Sequence, residues 1–431
     1  MRARRDCPSV KAVRHTTKSG LDPITTRRSS LIKPFYPALD GIRALATLFV
    51  FSWHYCRLVF NNEVFTWGWV GVNLFFVLSG FLITGILVDS LHCQRYFRDF
   101  YIRRTLRIFP LYYAIWLLFL LATPLLHVQW NRYVAAMAFF IGNFFKAGVN
   151  VHANPGFLHY IPSPGVTTVV LVDHFWSLCV EEQFYLVWPF LIWTIREPRR
   201  LLFLCLCMIA ITPIGRIAYQ VTHAPTSNMD VLYYNSFSRA DALFLGAAIA
   251  LWLRLSAPSP HFLRKIAIAS LIAPFLILFS LRSLESNGAP APLADPLTFT
   301  IGFTLINIAA GGLLLLSIES KSLLVSVLQG RPFVLIGRVG YGLYIFSQLL
   351  YIELIRHMRH FNSPLGRYLF PLVAFLISLA ISLISFRYLE SPFLGLRGRF
   401  APRPGAVEDP PPVHQLLSES APIPQMPYCR P

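Results

Sequence analysis

Charge is scarce in this chain. Of its 431 residues only 13% are Asp, Glu, Lys or Arg, about half the ~25% usual in soluble proteins. With 55% apolar residues, that scarcity excludes an ordinary soluble domain and points to a membrane. Acid is scarcer than base, with 20 Asp and Glu against 38 Lys and Arg, a net charge of +18. Such a balance can signal nucleic acid, but no aromatic-interleaved basic patch is present. The basic residues lie in the N-terminal segment (Arg2, Arg4, Arg5, Lys11, Arg14, Lys18, Arg27, Arg28, Lys33) and between apolar runs. Positive-inside topology accounts for that distribution, and no nucleic-acid partner is expected. The seven cysteines (Cys7, Cys56, Cys93, Cys179, Cys205, Cys207, Cys429) are scattered, four of them inside apolar runs. They show neither disulfide nor metal-ligand spacing, so they read as small apolar fillers and no metal site is expected. No internal repeat stands out.

Residues 1–33 have no apolar stretch of the kind a secretory signal needs. Residues 1–34 are therefore expected to be a disordered basic cytoplasmic tail, and 395–431 a Pro-rich disordered cytoplasmic tail. Between them lies a transmembrane domain, 35–394. What the chain has in abundance is apolar runs near the ~20 residues that cross a bilayer. Candidate spans are 39–60, 69–89, 108–126, 174–195, 200–219, 237–254, 266–282, 297–316, 333–354 and 368–389. They predict an all-α membrane protein of about ten transmembrane helices, with both termini cytoplasmic. The inner connections LHCQRYFRDFYIRRTLR, REPRR, RLSAPSPHFLRK and ESKSLLVSVLQGR are then all basic. RHMRHFNSPLGR is basic too, although this topology places it outside. The run near 131–147 is short and interrupted by Gly142 and Asn143, so it is expected to be an outer re-entrant or interfacial segment.

Polar residues inside these runs are costly and mark function. In YPALDGIRALATLFVFSWHYCRLVF, Arg43 and His54 fall on one face of an ideal helix, separated by ~16 Å along its axis. Arg43 lies near the inner end and His54 in the outer half. Singly, each has a structural reading: a snorkelling anchor and a hydrogen-bonded helix-packing histidine. In DHFWSLCVEEQFYLVWP, His174, Ser177 and Glu181 form a polar stripe, and Glu181 is expected beside His54 at a similar depth. Arg103, Arg104 and Arg107 fall within little more than one turn at the inner surface, where their forks suit phosphate oxygens. Ordinary positive-inside charge or lipid-headgroup contact would also explain them. Asn73, Ser79, Arg239 and Asp241 are further polar marks, the last two expected to pair with each other or with substrate. Arg387 and Glu390 are expected to form an internal ion pair.

These stretches together resemble the acyltransferase-3 family of integral membrane acyltransferases. The matching pieces are YPALDGIRALA with its Arg-x10-His spacing, GVNLFFVLSGFLIT, FYIRRTLRIFPLYY, HFWSLCVEEQFYLVWP, SRADALFLGA, GRVGYGLYIFSQ and YLESPF, across roughly residues 36–394. The resemblance implies a ten-span helical domain in the cell membrane, by extension a bacterial inner membrane. It implies transfer of an acyl group, by default acetyl, from cytoplasmic acyl-CoA to a hydroxyl of a cell-surface or secreted carbohydrate. Carried over, His54 is the catalytic base, Arg43 its partner in the same helix, Arg104 and Arg107 the donor-binding RxxR pair, and Glu181 the acid of WSLxxEE. Two positions depart from the family pattern: Asn73 stands where GVDLFF is common, and Ser347 where YSLYLWH carries histidine. No hydrolase-like soluble domain is expected from these residues, so transfer is expected to finish in the membrane domain or pass to a partner. Acyl-CoA is thus expected as donor substrate, with no tightly bound cofactor. Acceptor identity, a covalent acetyl-histidine and the oligomeric state stay open. A transporter or proton-coupled flippase would also place Arg, His and Glu in spans, but two corresponding halves are lacking.

Overall fold

Pro37 opens the first helix, where its missing N–H costs nothing, and Asp40 sits in the first turn at the positive end of the dipole. The computed structural model describes residues 37–401 apart from 61, 129, 131, 147–156, 164–165, 224–228, 285–295, 320–321 and 359–362. The two tails thus lie largely outside the described residues. The order is α1 (Pro37–Phe51), a π-turn (Ser52–Cys56), α2 (Arg57–Phe60), α3 (Glu63–Thr66), α4 (Val70–Asp89), α5 (Tyr96–Leu126), α6 (Arg132–Ala138) and α7 (Gly142–Lys146). A hairpin of β1 (Phe157–Ser163) and β2 (Val166–Leu171) follows, antiparallel, with Phe157 opposite Leu171. Then come α8 (Phe175–Ile195), α9 (Pro198–Thr222), α10 (Met229–Tyr234), α11 (Ser236–Ser256) and α12 (Pro260–Leu284). A second π-turn (Thr298–Gly302) leads into α13 (Phe303–Glu319), α14 (Leu323–Leu328), α15 (Arg331–Arg338), α16 (Gly340–Leu349) and α17 (Tyr351–Met358). The chain ends in α18 (Pro364–Ser385), a third π-turn (Phe386–Glu390), α19 (Ser391–Gly395) and α20 (Arg397–Phe400).

The chain is helical throughout its apolar runs, as expected; the hairpin is an addition. Among the described residues, 7 helices are long and apolar enough to cross a membrane. They are Val70–Asp89, Tyr96–Leu125, Pro198–Thr222, Asp230–Ser256, Pro260–Leu281, Thr298–Ile318 and Pro364–Phe400. The other three expected spans are helical too but fall outside this count for physical reasons. The first is interrupted by the π-turn, and 333–354 is divided at Val339 and Leu350. Helix α8 carries three consecutive polar residues, Glu181, Glu182 and Gln183, which lower its mean hydropathy.

Side-chain pairings give the helix directions. Asp40 meets Gly337, Thr47 meets Gly340 and Tyr55 meets Ser347, so α1 runs parallel to α15 and α16. Ala46 meets Gly71 and Phe49 meets Gly68, so α4 runs back along α1. Tyr96 bonds Pro189 O, Tyr101 bonds Leu186 O and Tyr112 packs on Phe175, so α5 and α8 are antiparallel. Helices α4 and α11 touch backbone to backbone. A Cβ on Gly80 would lie 1.9 Å from Leu243 O, and one on Gly246 would lie 1.9 Å from Val77 O. Only glycine permits that approach. Segment 132–146 breaks into α6 and α7 at Phe140, which takes a left-handed φ of 58°. Tyr112 donates to Met137 O, and Gln183 bonds Phe140 O at 2.7 Å and Asn143 at 2.9 Å, tucking the broken segment against α5 and α8.

Candidate active site

The first π-turn contains His54. A π-turn adds a residue to a helical turn and recurs at functional sites. Its wider winding also means that an ideal α-helical face cannot be extended from Arg43 through residue 52. His54 Nδ1 lies 2.8 Å from Val50 O, one turn back, and 3.0 Å from the amide of Gln348 on α16. The Tyr351 ring meets the imidazole edge-on at 5.4 Å. The neighbouring Tyr55 hydroxyl donates to Ser347 O at 2.6 Å. Two consecutive residues of the turn are thus docked on two consecutive residues at the end of α16. Ser347 is buried and turns its hydroxyl to Tyr344 O. His54 itself is half-buried, and among the described residues nothing hydrogen-bonds its Nε2. An imidazole held at Nδ1 and open at Nε2 has the geometry of a general base.

A second polar group lies deeper. Glu181 accepts from Ser79 Oγ at 2.7 Å and from the Tyr185 hydroxyl at 3.2 Å, and it lies in the field of Arg104 and Arg107. The Arg104 guanidinium sits 4.9 Å above the Tyr185 ring. Arg107 feels Arg43, Arg104, Asp40 and Glu390. Both Arg104 and Arg107 are half-buried, and neither forms an ion pair or hydrogen bond among the described residues. Two guanidiniums so placed favour an anion. Arg103 instead donates to Ala401 O at 3.2 Å, and Arg43 pairs with Asp40 on its own helix.

The expected contact between Glu181 and His54 is therefore absent. Tyr344 bonds His174 O at 3.0 Å, so α8 begins at the level of Tyr344. Tyr344 is one turn short of Gln348, and Glu181 is two turns beyond His174, which separates His54 from Glu181 by ~15 Å along the helices. Counting residues from the ends of the apolar runs puts the two side chains at one depth, whereas α6 and α7 run alongside α8, with Tyr133 bonding Asp173 and Asn143 bonding Gln183, and the Tyr344–His174 bond sets Glu181 well past the level of His54. The carboxylate that lies in the field of His54 is Asp173, which accepts from Tyr133 at 2.5 Å and from Tyr234 at 3.3 Å.

Arg239 and Asp241 also find other partners than expected. Asp241 forms a two-point ion pair with Arg216 of α9, at 2.8 and 3.2 Å, each side chain 1% exposed. Thr304 Oγ1 adds a bond to Asp241 at 2.6 Å. Two positions away on the helix, Arg239 takes other hydrogen-bond partners. Its Nη2 donates to Asn73 Oδ1 at 2.8 Å, and its guanidinium lies 4.0 Å from the Phe303 ring centre with Tyr233, Phe76 and Trp176 around it. Asn73 in turn donates to Asn307 at 2.6 Å. Ser177 hydrogen-bonds Tyr344 at 2.8 Å. Asn73, Ser177, Arg239 and Asp241 are thus engaged with protein partners in the interior. The expected Arg387–Glu390 pair is also replaced. Glu390 is 5% exposed, accepts from Ser385 Oγ at 3.4 Å and lies in the field of Arg107, while Arg387 sits over Tyr388. Sequence reasoning missed Arg216, Asn307 and Gln348. Each is a polar residue inside an apolar run, the same signal that singled out His54.

Compared with known proteins, residues 36–387 match the profile of the acyltransferase-3 family, described as an acyltransferase domain. The chain belongs to that family. Acyltransferase-3 relatives are more distant individually. The chain is similar to an O-acetyltransferase OatA of Staphylococcus aureus (strain NCTC 8325 / PS 47), 25% identical over 379 residues, 85% of this chain and 58% of the relative. It is similar to a peptidoglycan O-acetyltransferase OatA of Listeria monocytogenes serovar 1/2a, 28% identical over 385 residues, 85% and 57% of the two chains. A putative peptidoglycan O-acetyltransferase YrhL of Bacillus subtilis (strain 168) is 27% identical over 373 residues, 83% and 55%. The chain thus spans little more than half the length of these relatives. No solved structure matches it.

Proposed function

We propose that this acyltransferase-3 protein moves an acetyl group from cytoplasmic acyl-CoA to a hydroxyl of peptidoglycan at the outer face of a bacterial cytoplasmic membrane. The observation that carries the reading is the separation of two half-open polar sites in one helical body. Among the described residues, one is an imidazole with a free Nε2, and the other is a pair of arginines without an ion-paired carboxylate. Family membership and the printed names of the relatives support the reaction class and the acceptor.

In this reading α1 with its π-turn, α8 and the α15–α17 series also cross the membrane, giving ten spans with both termini inside. The parallel run of α1 with α15 and α16 and the antiparallel run of α5 with α8 are consistent with that topology. Arg104 and Arg107 would hold the diphosphate and 3′-phosphate of CoA, with Arg43 adding positive potential. The pantetheine arm traverses about half of the ~30 Å core and carries the thioester toward His54. His54 Nε2 takes the proton from the acceptor hydroxyl as the oxygen bonds to the thioester carbonyl carbon. The C–S bond then breaks and the CoA thiolate leaves, receiving a proton later. Glu181 belongs to the donor side, where it and Ser79 fix Tyr185 and the arginine faces. Imidazolium stabilisation falls to Asp173.

The test is mass spectrometry of cell-wall fragments from strains carrying wild-type, His54→Ala or Arg104→Lys protein at matched membrane levels. His54→Ala should abolish gain of one acetyl group. Arg104→Lys keeps charge but loses the planar fork, and should lower acetylation roughly tenfold at limiting donor. Normal acetylation in the His54→Ala strain would sink the assignment. Glycan export without acetyl transfer would favour a flippase.

A further inference from the structure

We propose that Gln348 is the positioning residue of His54, aiming Nε2 and reinforcing the tautomer that Val50 O selects; this rests on the functional reading above. Gln348 is fully buried at the end of α16, with its amide 3.0 Å from His54 Nδ1. Val50 O, 2.8 Å from the same nitrogen, can only accept, so the proton sits on Nδ1 and Nε2 keeps its lone pair. Gln348 completes the arrangement by presenting its amide oxygen to Nδ1–H, which also gives that oxygen the partner it lacks with the amide turned the other way.

The neighbouring contacts make the aim rigid. Tyr55 ties the π-turn to Ser347 O, so Gln348 cannot drift relative to the imidazole. Tyr351, from α17, closes the ring's other side. The charged groups facing His54 are Arg57 on its own helix and Asp173 ahead of α8, and neither hydrogen-bonds it. Gln348 is therefore the one side chain from another helix that holds the ring by hydrogen bond among the described residues. A neutral amide orients the base without adding charge to a membrane-embedded site. It sits one position past Ser347, where the family pattern has histidine.

The experiment compares Gln348→Leu, Gln348→Met and Gln348→Glu with wild type and His54→Ala. The purified proteins are assayed in proteoliposomes with radiolabelled acetyl-CoA and peptidoglycan fragments. Leu and Met fill the space without a polar atom, and Met serves if Leu lowers the yield. Both should lower kcat by roughly tenfold to a hundredfold, the cost of a misaimed group, while KM for acetyl-CoA changes less than about threefold. Glu, which restores an acceptor for Nδ1–H, should recover most of the loss. In parallel, an NMR spectrum of protein carrying heavy-nitrogen histidine, assigned by difference from His54→Ala, should show His54 protonated at Nδ1 in wild type. The Leu and Met variants should show a second population protonated at Nε2. Wild-type kcat in both apolar variants, a Glu variant no better than Leu, or an unchanged His54 spectrum would overturn the proposal. Absence of transfer by wild type, or full activity of His54→Ala, would overturn the functional reading instead; the spectrum then still decides the role of Gln348.

Discussion

Removing the Asp241 carboxylate should damage stability first and chemistry second. Arg216 makes five hydrogen bonds: two to Asp241 and one each to Thr304, Thr300 O and Ser238 O. Both members of the pair are 1% exposed, so in Asp241→Ala a guanidinium is left in the interior with its charge uncompensated. Breaking such a pair by losing one partner costs about 3–5 kcal/mol, whereas replacing both by apolar groups of similar volume is often neutral. The single variants Asp241→Ala and Arg216→Met should therefore each lose about two to four orders of magnitude in the folded-to-unfolded ratio. The double variant Arg216→Met, Asp241→Leu should recover most of that. The assay is thermal challenge in detergent followed by size-exclusion chromatography of the folded fraction. Pairing Asp241→Ala with Arg239→Met provides the comparison, since Arg239 feels Asp241 only through the field while Arg216 bonds it directly, so 241 and 216 should couple far more strongly than 241 and 239. Wild-type stability in Asp241→Ala, or coupling to Arg239 rather than Arg216, would refute the reasoning.

Two further outcomes are expected from packing and charge. Gly246→Val drives side-chain atoms into Val77 O and should force α4 from α11, costing at least about 1–3 kcal/mol, read in the same assay; Gly215→Ala, inside α9 with open space around it, should hold or raise stability. Asn73→Asp places a carboxylate 2.8 Å from Arg239 Nη2, and Asn307 can turn its amide to donate. Stability should rise or hold and acetylation should persist, so a fall in both would show that neutrality at 73 is required.

Much of this was readable in the residues. The apolar runs gave the helices, and the costly Arg, His and Glu inside them gave the polar groups. What was not readable is which groups meet. Arg239 and Asp241 are two apart in sequence, yet a helix turns them about 200° from each other, so pairing across α4, α9 and α13 won over pairing with each other. The π-turn at His54 leaves no mark in SWHYC that distinguishes it from an α-helix. The depth of Glu181 failed for a related reason: residue counting locates a side chain along its own helix but not where that helix starts. Gln348 and Arg216 were visible as polar residues in apolar runs, and only their partners, more than 290 and 20 residues away, reveal what they do.

The separation of Glu181 from His54 has a consequence for the size of molecule that can serve this protein. Glu181 lies ~15 Å from the imidazole along the helices, with Arg104 and Arg107 in its field, a distance written into the covalent length of rigid helices. The gap acts as a ruler. A small activated acyl compound such as acetyl phosphate could touch one end but not both, so anchoring and reaction would be uncoupled. A carrier with a long, thin arm between its charged head and its acyl group would bridge the two. Selection among donors would then be made by reach as much as by recognition of any single chemical group.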